Sequence, residues 1–95
     1  MHVHTSNGWW MASRITGGDD HFLGVCFGPP GDLAGIDGRV VSEVQRAVDQ
    51  ANTERGTALA VAAIKVAPDA HFSRAIYARL AVAIATQAAA VRSGD

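Results

Sequence analysis

Four histidines are the residues best equipped for chemistry in this 95-residue chain. His2 and His4 flank a single valine, and alternate residues of a strand share a face, so both imidazoles can reach one metal ion. His21 follows the carboxylates of Asp19 and Asp20, and His21 and His71 each stand directly before a phenylalanine. A composite site of His2, His4, His21, His71 and Asp19 or Asp20 would offer the ligand types that zinc, nickel or iron(II) accept. Only His2 and His4 have a ligand spacing, so the fold would have to bring in the others. The competing expectation is a solvated N-terminus, frayed over residues 1–7, with surface histidines elsewhere. On that balance no cofactor is expected, and a bound transition metal is the alternative.

Locally, His2-Val3-His4-Thr5 followed by Asn7-Gly8 resembles the opening histidine pair of the polymerase-and-histidinol-phosphatase metal hydrolases. The resemblance spans residues 2 to 8 and implies ligand roles for His2 and His4 alone. That family's longer barrel and its many further His and Asp ligands have no counterpart here.

Other reactive types are poorly placed. Cys26 would need a base beside it to act as a nucleophile, and between Val25 and Phe27 it reads as a small buried hydrophobe. A single cysteine excludes an intramolecular disulfide framework and fits a reducing, cytoplasmic setting. The N-terminus has no basic stretch leading into an apolar one, so no signal peptide is expected. Gly28-Pro29-Pro30-Gly31 precedes a helical pattern but lacks the residues of a phosphate loop, and its prolines remove backbone donors, so it reads as a turn. A net charge of −1 gives no basic footprint for nucleic acid, and no apolar run reaches membrane-spanning length. One lysine beside seven arginines, with abundant alanine, suggests a GC-rich bacterial genome. The binding candidates are Trp10, Arg14, Arg74 and Arg92. One of the paired indoles Trp9 and Trp10 should be core and the other an interface anchor. Arg14 shares the face of Trp10, where it could stack on the indole.

These residues must be positioned by a small set of elements. Asn7-Gly8 is a strong hairpin signal, separating a short strand (His2 to Ser6) from a second over Trp9–Thr16. Gly17-Gly18-Asp19-Asp20 then leads to a third over His21–Gly28. In the third, Leu23, Val25 and Phe27 share a face opposite Phe22, Gly24 and Cys26. Residues 38–55 carry a one-sided apolar stripe of Val40, Val41, Val44, Ala47, Val48 and Ala51, with Asp37 as N-cap and Gly56 as C-cap. Glu43, Arg46 and Asp49 are expected on its solvent side. Thr57–Val66 has strand-like length and flanking breakers, but its four alanines are atypical of strands; a strand is favoured.

A last helix is expected from Pro68 or Asp69 to about Arg92, with His71 in its first turn. Its core stripe would be Phe72, Ile76, Leu80, Ala83, Ile84 and Val91. The opposite face of Ala78, Ala81, Ala85, Ala88 and Ala89, edged by Arg74 and Arg92, reads as a second packing surface, most naturally a subunit contact.

The expectation is one α+β domain over 1–95, a short antiparallel β-meander followed by α-β-α (β-β-β-α-β-α). With a right-handed crossover through residues 38–55, both helices lie on one face of the sheet. That order is similar to the first part of a ribonuclease-H-like fold, which implies carboxylates on a strand and on the first helix holding two Mg²⁺ ions. The strand centres here carry no Asp or Glu, so the implied chemistry does not follow. The functional expectation is a non-enzymatic binding or regulatory module. It would act as a homodimer or with a protein partner, through an open sheet face or the alanine face. The alternative is a small metal-dependent enzyme with a histidine site at a subunit junction.

Overall fold

A type I′ turn at Asn7-Gly8 starts the sheet: both residues have positive φ, 51° and 85°, as that hairpin geometry requires. The computed structural model describes residues 2–16, 19–68 and 70–94. The turn joins β1 (Val3–Ser6) to β2 (Trp9–Thr16), which pairs antiparallel with β3 (Asp19–Phe27). Gly17 and Gly18 of the expected second turn lie outside the described residues. Then follow α1 (Gly38–Arg55), β4 (Val61–Val66) and α2 (Arg74–Arg92). The architecture is α+β in the order β-β-β-α-β-α, with one four-stranded sheet ordered β1-β2-β3-β4. No helix among the described residues is long and apolar enough to cross a membrane.

The helix α1 joins β3 to its antiparallel neighbour β4. It is therefore no crossover between parallel strands, and the handedness rule does not act on it. One face of the sheet nevertheless takes the helices. Its buried residues Ala12, Leu23, Val25 and Ile64 share a core with Val40, Val44, Ala47, Val48 and Ala51 of α1 and Leu80, Ile84 and Ala88 of α2. α2 lies across β1, β2 and β3, and α1 packs along α2.

Local chemistry sets both ends of α1. The Asp37 carboxylate accepts from the Arg39 N–H at 2.9 Å, and its second oxygen takes the Arg39 guanidinium at 2.7 Å. The hydrogen bonds from Arg39 hold the Asp37 carboxyl down at about 2. Because the folded value lies below the unfolded one, this cap is fully present above the ordinary carboxylate range and is lost as pH falls toward 2. Acid titration of the wild type should therefore show a loss of stability that Asp37→Ala lacks, read as the difference in melting temperature between pH 5 and pH 2. At the far end Gly56, at φ 67°, donates its N–H to Asn52 O. Asn52 also accepts from Thr57 Oγ1 and Leu59 N through Oδ1 and donates to Leu59 O through Nδ2. These bonds engage residues 57–59 outside the sheet, which is why β4 begins at Val61 and not at Thr57.

The chain leaving β3 crosses the start of β4, where Gly31 N–H donates to Val61 O at 3.3 Å. A Cβ on Gly31 would stand 2.0 Å from Ala62 O. The close crossing coincides with a register shift in the β3–β4 ladder.

Three expectations for α2 are corrected. It starts at Arg74 behind the N-cap Ser73, whose hydroxyl accepts from Ile76 N–H. His71 thus precedes the helix, and the expected opening residue Asp69 lies outside the described residues. The alanine face is not free either: Ala81, Ala85, Ala88 and Ala89 are buried within the chain, letting α2 sit close to α1 and the sheet. Val91, expected in the core, is 63% exposed. What remains outward is a shallow patch of Ala78, Arg79, Val82 and Ala83.

Candidate functional site

The uncovered face of the sheet is built by strand alternation. Trp10, Ala12 and Arg14 of β2 turn toward the helices, so Trp9, Met11 and Ser13 point away. Register places Trp9 opposite Cys26, Met11 opposite Gly24 and Ser13 opposite Phe22 on β3. On β4, Ala63 and Lys65 face the same way, opposite Cys26 and Gly24. β1 adds His4 beside Met11 and Ser6 beside Trp9. Trp9, Met11, Phe22 and Cys26 are half-buried, while His4, Ser13 and Lys65 are exposed.

Gly24 organises the centre of this face. Its missing side chain leaves room for Lys65 to cross toward Trp9, with Nζ 4.3 Å from the indole ring centroid, a cation–π contact. A Cβ at Gly24 would stand 2.9 Å from Lys65 Cγ and 3.4 Å from Trp9 Cε3. The indole on the open face is thus Trp9. Trp10, expected there from its pairing with Arg14, packs against the core on the helix side. Alternation along β2 separates the two indoles but carries no information about which face the helices take.

The other expected site residues are dispersed. Arg14 is half-buried on the helix side, in register with His21. Arg74 begins α2 with Nε 3.8 Å from Glu43 Oε2, and Arg46 approaches the other oxygen at 4.0 Å. Glu43, expected in solvent, is only 5% exposed: the two arginines cover its carboxylate where α2 begins beside α1. Arg92 ends α2 and lines a cleft with Trp10.

The histidines divide into two pairs. The rings of His2 and His4 meet edge-on with centroids 4.3 Å apart, and both are exposed. His21 is buried on the opposite side of the sheet, and its Nε2 lies 2.9 Å from the carbonyl oxygen of His71. A carbonyl only accepts, so Nε2 is the donor of this bond. Nδ1 is buried and has no partner among the described residues. His71 thus meets His21 through its backbone and not its ring. Among the described residues no three His, Cys, Asp or Glu side chains gather as a metal-binding group; the Asp19 side chain lies outside them.

Beside His21 stands an aromatic relay that the sequence pattern does not announce. The Tyr77 ring is edge-on to His21 at 5.7 Å and stacks on Phe72 at 5.8 Å, while the Arg39 guanidinium covers Phe72 at 4.4 Å. Burial, with a further contribution from the charge of Asp37, raises the Tyr77 hydroxyl above its ordinary value. The spacing of Phe72 and Tyr77 is visible in the sequence, as are Asp37 and Arg39, but their meeting depends on how α2 docks. Comparisons of the chain with protein families, with curated proteins and with solved structures found no match.

Proposed function

We propose that the chain is a non-enzymatic interaction module that acts as a homodimer, two copies meeting through the uncovered sheet face. The observation that carries this reading is the apolar cluster of Trp9, Met11, Phe22 and Cys26 on a face that no helix covers. Half-buried aromatics grouped on one exposed face are the usual mark of an interface. The charge pattern favours a second copy as the occupant. Lys65 and the exposed Asp20 lie on this face with opposite signs, and a two-fold contact sets a surface against itself.

Sedimentation of the wild type should give the mass of a dimer, and Trp9→Glu should give a folded monomer. Trp9 lies outside the buried core, so the variant keeps the helical signal of the parent. A wild type that stays monomeric under the same conditions overturns the reading.

A second reading, a metal-dependent enzyme at the subunit junction, rests on the proximity of His2 and His4. His4 belongs to the uncovered face, so a face-to-face dimer with its two-fold axis near β1 would bring together the pairs of two chains. Elemental analysis of protein purified without chelator should then find a transition metal that is lost in the His2→Ala, His4→Ala double variant. The module reading expects dimer formation to survive that change.

A further inference from the structure

On the helix side of the sheet, at the end remote from His21, four parts of the chain surround a cleft of about 260 Å³. The β1–β2 turn contributes Gly8, the sheet contributes Trp10 and Phe27, and the last turns of α2 contribute Val91 and Arg92. Buried Leu59 and Ala88 also line it. The two aromatic rings are half-buried. Val91 is one of two large aliphatic side chains exposed among the described residues. Arg92 is the sole charged residue of the lining, and among the described residues its guanidinium has no hydrogen-bond or ion-pair partner.

Concave, mostly apolar sites with one convergent charged group are the ordinary form of a small-molecule pocket. The volume falls just below the roughly 300–1,000 Å³ of pockets for drug-sized molecules, so the occupant is smaller than those. The apolar walls select a flat aromatic body. The lone guanidinium, a two-pronged donor, selects a carboxylate. We propose that this cleft binds a small aromatic monocarboxylate, its ring against Trp10 and Phe27 and its carboxylate on Arg92. The site lies on the side of the sheet away from Trp9, so it stands independently of the homodimer reading.

The test is an amide-resolved NMR titration of the full chain with indole-3-propionate, and in parallel with the corresponding alcohol, 3-(indol-3-yl)propan-1-ol. The acid should bind saturably, with shifts centred on Gly8, Leu59, Ala88 and Arg92, and about tenfold more tightly than the alcohol. Arg92→Gln should bring the acid down to the affinity of the alcohol. Val91→Trp, a change at an exposed position that places an indole over the cleft, should weaken both. An exposed arginine that merely stabilises the end of α2 would leave the acid–alcohol ratio unchanged in Arg92→Gln. That result overturns the proposal, as do equal binding of acid and alcohol to the wild type, shifts centred on the Trp9 face, or no saturable shift.

Discussion

Gly31→Ala should destabilise the domain by about 3 kcal/mol or more, near the upper end of what overpacking costs. The residue is exposed, which would ordinarily mark a tolerant position. The obstacle is backbone: the new methyl would stand 2.0 Å from Ala62 O and 3.0 Å from Ala62 C, and neither can rotate away as a side-chain tip would. Relief requires lifting the chain off β4, which sacrifices the Gly31–Val61 hydrogen bond and moves the lead-in to α1. Gly35 is the control. A Cβ there meets nothing within 4 Å and its φ is not positive, so Gly35→Ala should be neutral or stabilising by up to about 1 kcal/mol. Urea midpoints of the two variants decide the matter; equal midpoints would mean the chain does not cross β4 this closely.

Tyr77→Ala should cost about 3–5 kcal/mol, the range for large aromatic truncations in a core. That is a large part of the roughly 5–15 kcal/mol that holds a domain together. Tyr77 is 2% exposed and is the ring on which Phe72 and His21 both rest. Its removal also frees the segment whose His71 carbonyl binds His21. Tyr77→Phe keeps the ring and should cost far less at neutral pH. The hydroxyl has its own signature at high pH. Its folded value is raised by burial first and by the Asp37 charge second, so the neutral phenol contributes stability that is intact below about 10 and is lost as pH rises beyond it. Denaturation midpoints across pH 8–11 should therefore fall more steeply for the wild type than for Tyr77→Phe.

Legibility in the sequence followed how local each determinant is. The Asn7-Gly8 hairpin and α1 with both caps were readable to the residue, because φ preference and capping are settled by adjacent side chains. The start of α2 was not. Pro68 and Asp69 look like an opening, whereas the residues that exclude His71 from the helix are Ser73 and the distant His21. Periodicity also failed on α2, because a helix apolar nearly all round has no unique stripe. With Tyr77 and Leu80 turned inward, the alanines fall against α1 and Val91 falls outside. Glu43 misled for a similar reason: its spacing from Arg46 suits a solvated ladder, but Arg74 comes from the other helix. At the candidate site, alternation paired the correct residues on each face, while the choice of Trp9 over Trp10 waited on where the helices lie.

The sheet order β1-β2-β3-β4 repeats the order of the chain, and this bears on how quickly the domain assembles. Every strand pairs only with its neighbours in the chain, so the first two pairings close over short connections and lose little loop entropy. The single expensive closure is β3 onto β4, and it spans the segment that becomes α1. A helix forming within that segment shortens the gap before the ends must meet. Rate-limiting assembly therefore concentrates in one step, the docking of β4 with the helical pair onto a meander that is already aligned.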